Sequence, residues 1–142
     1  MINKFKKIVI KIGSSSIIDE KTKKVRIKWL NSLCKDISIL IKENKKIAIV
    51  SSGAITLGKK LITNKKIIHR LEDKQAAAAI GQIELANCWG QALKNNKINS
   101  AQLLLTLDDS EIRRRYLNIR KTISSLHKNK AIPIINENDT VA

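Results

Sequence analysis

The chain has 142 residues, enough for one domain or part of a larger one, and its 43% apolar content is enough for a packed core. The formal net charge is +16. The lysines are spread along the whole chain, and Phe5, Trp29, Trp89 and Tyr116 are too few to interleave with them as base-stacking platforms, which argues against a nucleic-acid partner and for a solvated basic surface. That field still attracts anionic, phosphorylated ligands. No run approaches a membrane span, and the start lacks a signal peptide's layout, so the expectation is a cytoplasmic protein with no membrane partner. Cys34 and Cys88 form no CxxC pair and read as free thiols. No clustered ligands suggest a metal site, and His69 and His127 receive no role.

In chain order, residues 6–12 are a β-branched run that ends at a turn or loop, Gly13-Ser14-Ser15-Ser16. From Ile27, apolar residues recur at helical spacing, predicting a helix over 26–43 with Asn44 as its stop. Residues 46–51 read as a second buried strand, followed by Ser52-Gly53-Ala54 and a helical stretch to about Leu61. Thr63 to Arg70 reads as a polar loop. Residues 71–94 predict a long helix whose Ala76–Ala79 run permits close packing on a neighbour, with Gly81 a local weakness. Ser100 to Leu105 is a third strand. Thr106, Asp108 and Asp109 open a fourth helix, with Ile112, Tyr116, Ile119, Ile123 and Leu126 as its apolar face. Residues 131–135 form a fourth strand, in which Pro133 is tolerable near the start but odd in mid-sheet.

Alternation of strands and helices predicts an α/β fold, a three-layer α-β-α sandwich on a mainly parallel sheet. Ligands of such sheets bind beyond the carboxyl ends of the strands. Three of those ends are polar, and a parallel sheet brings them to one edge. Lys11 and Gly13 read either as a phosphate-binding loop with its cation or as an edge-strand lysine beside a turn. Ser51-Ser52-Gly53 reads equally as an anion site at a helix start or as a helix cap. Asn136-Glu137-Asn138-Asp139 offers acceptors and amide donors suited to a zwitterion, against a plain polar turn. Arg113-Arg114-Arg115 cannot share one helix face and reads as a solvated surface with one packing or ion-pairing arginine.

Together these segments resemble the glutamate 5-kinases of the amino acid kinase family, along essentially the whole chain. The resemblance rests on Ile8–Ser15, Ile49–Ile55, Lys74–Gln82, Leu104-Leu105-Thr106 with Arg115–Asn118, and above all on Ile135–Ala142. It implies transfer of the ATP γ-phosphoryl group, with Mg²⁺, to the side-chain carboxylate of L-glutamate, the first step toward proline. A carboxylate whose pKa is about 4.3 is already ionised at neutral pH and needs no general base, so the lack of a catalytic histidine is no objection. Cations and backbone N–H groups must instead bring two anions together. By the resemblance, Lys11 is catalytic and contacts the transferring phosphate, Gly13 binds the nucleotide phosphates, and Ser52, Asn136 and Asp139 bind glutamate. It also implies that residues 1–142 are the amino-acid-binding half of a kinase domain, lacking the nucleotide half and a PUA domain. Such a half is expected to expose sheet surface and to be a poor kinase alone, working as a homo-oligomer or with a complementing C-terminal fragment. A glutamate-binding remnant is the alternative.

Overall fold

The computed structural model describes residues 4–62 and 70–141. The β-branched runs form four strands, β1 (Lys7–Ile12), β2 (Lys46–Ser51), β3 (Asn99–Leu105) and β4 (Ala131–Glu137). They form one parallel sheet in the order β1-β2-β4-β3. The helices are α1 (Ser14–Ile17), α2 (Ile27–Lys42), α3 (Ala54–Lys59), α4 (Leu71–Lys94), α5 (Leu107–Glu111) and α6 (Arg113–Lys128). The expected loop over 63–70 lies, except for Arg70, outside the described residues, as does His69.

The strand order explains the layers. β1 to β2 and β2 to β3 step in one direction, and β3 to β4 steps back. Right-handed crossovers therefore place α2 and α4 on one face and α6 on the other. Ile12, Ile47, Ile49, Ile132 and Ile134 meet Leu30, Cys34, Ile37, Leu85 and Trp89 in the core beneath α2 and α4. The opposite face is thinly covered. No residue of α6 is buried, and Val9 on β1 is 68% exposed.

Three details depart from the sequence reading. The turn after Gly13 is the one-turn helix α1. The helix expected from Thr106 is two helices, broken at Ile112. Thr106 and Asp109 form a reciprocal capping box at the start of α5, and Arg115 at the start of α6 pairs with Asp109 at 3.4 Å. Backbone and hydroxyl donation from Thr106, with Arg115 nearby, holds the Asp109 carboxyl below its ordinary value.

The third departure is Pro133, which sits inside a central strand. Backbone bonds from Lys46 to Lys6 and from Ser52 to Ile12 aim the even-numbered residues of β2 at β1. Its odd-numbered residues therefore face β4. Continuing the register of Ile49 with Ile134, the donor for the Ile47 carbonyl is the N–H of residue 133, which proline lacks. Pairing with β2 accordingly starts only at Ile134. His127 of α6 fills the gap: its Nε2–H donates to the Ile47 carbonyl at 2.8 Å, which fixes the ring nitrogen that bears the proton.

Candidate active site

The two serines ending β2 have different fates. Ser51 is fully buried, and its hydroxyl accepts the Trp89 indole N–H at 2.9 Å. Ser52 is half-buried, and its backbone N–H donates to the Ile12 carbonyl at 3.0 Å, tying the exits of β1 and β2 together. Neither serine caps α3. The cap position is Gly53, with φ of +122°. A Cβ there would also meet the tip of the Ile18 side chain at 2.7 Å, but it is the backbone conformation that demands glycine.

A close helix crossing fixes where α3 sits. A Cβ at Gly81 of α4 would fall 1.8 Å from the Ala54 carbonyl oxygen, and one at Gly58 of α3 would fall 1.8 Å from that of Ala77. The two backbones touch through glycine and alanine, and Lys60 bonds Glu84 at 2.9 Å beyond the contact. The first turn of α3, whose N–H groups have no partners within the helix, is thereby held at the sheet edge.

β4 runs two residues further than the sequence predicted, through Asn136 and Glu137. Asn136 is buried, and its Nδ2 donates to Gln82 Oε1 of α4 at 2.8 Å. The chain then turns: the Asn138 N–H donates to the Leu105 carbonyl at 2.8 Å, and the Thr140 hydroxyl donates to Asn138 Oδ1. This turn brings Asp139 to the same cleft as Ser52, beyond the end of β2.

A cleft of about 260 Å³ results, lined by Ser14, Ser52, residues 53–56, Asn136, Glu137 and Asp139. Burial, and secondarily the neighbouring Glu137, push the Asp139 carboxyl above its ordinary value. The cleft therefore pairs a carboxylate short of positive charge with a rim of N–H and hydroxyl donors. That is a complement for an ammonium and a carboxylate on one small molecule.

Of the residues singled out in the sequence, Ser52, Asn136 and Asp139 come together here. Gly13 stands next to Ser14 at the rim. A Cβ at Gly13 would meet nothing within 4 Å, so its surroundings leave open space for a ligand. Lys11 is not among the cleft-lining residues. It lies exposed on edge strand β1, on the sheet face opposite Ile12. Gln82 and Thr56 belong to the surroundings of the site without having been identified from sequence spacing, the Lys74–Gln82 segment pointing to Gln82 only through resemblance, whereas Ser14 lies in the polar Gly13-Ser14-Ser15 strand end that the sequence marked. Among the described residues no three His, Cys, Asp or Glu side chains cluster as metal ligands. Both cysteines are free, as expected, and burial pushes the Cys34 thiol up to about 11. No described helix is long and apolar enough to cross a membrane.

The chain is 56% identical over 136 residues to glutamate 5-kinase of Pelagibacter ubique, covering 95% of this chain and 36% of that protein. It is 50% identical to glutamate 5-kinase 1 of Mesorhizobium japonicum, covering 99% of this chain and 37% of that protein. It thus spans little more than a third of the length of these curated relatives. Among solved structures, UMP kinase from Bacillus anthracis superposes with a TM-score of 0.60 at 14% identity, over 92% of this chain and 52% of that one, a likeness of fold. The profile of the amino acid kinase family matches residues 6–142. By that match, and by its parallel sheet, the chain belongs to the amino acid kinase family.

Proposed function

We propose that the chain serves ATP-dependent phosphorylation of the side-chain carboxylate of L-glutamate, giving glutamyl 5-phosphate, a cytoplasmic first step of proline synthesis. The observation that carries the reading is the meeting of Ser52, Asn136 and Asp139 on one cleft in a chain about half identical to glutamate 5-kinases. Asp139 accepts the α-ammonium, which relieves a carboxyl that burial and Glu137 disfavour as an anion. Ser52 and the N–H groups of the first turn of α3 receive a substrate carboxylate. Asn136, steadied by Gln82, fixes the amino acid's orientation.

The acceptor carboxylate attacks the γ-phosphorus of ATP directly, the bond from phosphorus to the bridging oxygen breaks, and ADP leaves. No proton moves. The task of the chain's residues is to hold two anions in line. Gly13 and its neighbours present open backbone to the phosphates, and Lys11, free on the exposed face, stabilises the charge on the transferring group. Mg²⁺ would be held chiefly by the nucleotide phosphates, where it would offset the charge that the two anions bring together. In this reading residues 1–142 form the amino-acid-binding half of a kinase domain. A nucleotide-binding half comes from further chain, continuous or separate, or from an oligomer.

The test is a chimera in which residues 1–142 replace the equivalent segment of the Pelagibacter ubique relative. Trapping the acyl phosphate with hydroxylamine should give product that requires both L-glutamate and ATP, and Asp139→Asn or Lys11→Ala should reduce it at least tenfold, by analogy with the loss of charge-stabilising groups elsewhere. A stable chimera that forms no hydroxamate from glutamate, or prefers another acid, rules the reading out.

A further inference from the structure

A second cleft, of about 400 Å³, lies at the other end of the sheet. It opens between the last turns of α2 and α6, over the first residues of β2 and β4. Lys42, Lys45, Lys46, Lys128 and Lys130 line it, and no acidic residue does. Glu43, next to Lys42 in sequence, is exposed and outside the lining. Ile41, Ile47, Ala131 and Ile132 form apolar walls. The His127 ring borders it with its Nε2–H already committed to Ile47.

Part of this charge has an ordinary explanation. Lys42 and Lys128 lie in the last turns of their helices, where cations offset the negative end of the dipole. Lys46 and Lys130 do not belong to those helices. Lys130 holds a left-handed φ of 55°, a position where glycine is less strained. Lys23 and Lys97 hold the same conformation away from the cleft, so what sets Lys130 apart is its place beside three other cations in one concavity. Lys45 also borders the cleft, but the argument rests on the other four.

We propose that this cleft binds a small phosphorylated metabolite bearing two or more negative charges, with its apolar part against Ile41, Ile47 and Ile132. The volume falls within the range of small-molecule sites, roughly 300–1,000 Å³. Enclosure between two helix ends favours a compact ligand over a nucleic-acid strand, which needs a continuous groove. The site is distinct from the candidate active site. β2 and β4 span the distance between them, about 16 Å along β2 at a strand rise of ~3.3 Å per residue.

The probe is inorganic pyrophosphate, titrated into the 142-residue chain at about physiological salt while backbone amide resonances are followed. The expected result is saturable shifts at residues 44–47 and 128–132. The apparent Kd should rise about tenfold or more in the Lys46→Gln/Lys130→Gln double variant, while Lys28→Gln/Lys121→Gln, which removes the same charge elsewhere, leaves it unchanged. Should the first double variant fail to fold, the shift map of the parent chain decides. Shifts that do not saturate, that spread over lysines generally, or that are confined to 13–14 and 52–56 overturn the proposal. So does equal weakening by both double variants. A single-stranded oligonucleotide that displaces pyrophosphate more tightly as it lengthens makes the surface a nucleic-acid one and overturns it too.

Discussion

Replacing Gly81 by alanine should force α3 and α4 apart. Helix propensity alone predicts the reverse, since alanine is better than glycine in a helix interior by about 1 kcal/mol. The added Cβ would stand 1.8 Å from the Ala54 carbonyl oxygen and 2.6 Å from the Gly58 nitrogen. Ordinary contact requires a shift of about 1.5 Å, and the obstructing atoms are backbone, which has no rotamer to change. Overpacking costs about 1–3 kcal/mol when side chains can yield, so a cost at the top of that range leaves a net loss of about 2 kcal/mol. Gly90 on the same helix is the control. A Cβ there meets only Ser100 Oγ at 3.7 Å, so Gly90→Ala should gain about 0.5–1 kcal/mol. Urea unfolding followed by the fluorescence of buried Trp89 measures both. A Gly81→Ala chain as stable as the parent, or a Gly90→Ala chain destabilised to the same degree, would refute the close crossing. Because α3 supplies residues 54–56 to the cleft, Gly81→Ala should also cost roughly a hundredfold in chimera turnover for a misplacement near 1 Å.

Ser51→Ala strands the buried Trp89 N–H and should cost about 1–3 kcal/mol of stability; Ser52→Ala should leave the urea midpoint nearly unchanged and instead weaken glutamate use in the chimera. His127→Phe leaves the Ile47 carbonyl without its donor, for a loss of about 1–3 kcal/mol. Pro133→Ala restores a main-chain N–H, so a double-mutant cycle should show the two changes to be less damaging together than their sum, and strict additivity would contradict the substitution of imidazole for backbone. Asp139 has a folded-state pKa above the ordinary 3.8. The folded state therefore favours its protonated form, and the stability Asp139 contributes is greatest below 3.8 and falls as pH rises through the raised value. Asp139→Asn should accordingly be more stable than the parent at neutral pH, with the difference shrinking as acid protonates the parent; unfolding midpoints across that range check the sign.

The strands were legible as short apolar runs rich in β-branched residues, Ile8–Ile10 and Ile47–Val50, although only β2 is buried on both faces while β1 alternates and leaves Val9 exposed. The polar residues at three strand ends marked the edge where the cleft forms, since parallel strands place all carboxyl ends together. Sequence spacing did not reveal which serine was available. That depends on Trp89, 38 positions away, taking Ser51. The Gln82–Asn136 bond spans 54 positions and has no local periodicity to announce it. Gly81 read as a weak point in a helix because propensity describes an isolated helix, whereas its role is set by the backbone of α3. Pro133 read as odd in mid-sheet for a sound reason, the missing donor, and only the fold shows His127 supplying it. The break at Ile112 was hidden because Thr106, Asp108 and Asp109 read as the opening turn of the same helix whose apolar face begins at Ile112.

The most direct test of the account is to titrate L-glutamate into the chain and follow its backbone amides, with D-glutamate and L-aspartate as controls. Saturable shifts centred on residues 52–56 and 136–140, specific to L-glutamate and abolished by Asp139→Asn, are the predicted result. Saturable binding that maps elsewhere, survives Asp139→Asn or fails to distinguish the three acids, or no saturable binding at all, contradicts the assignment of this cleft to glutamate.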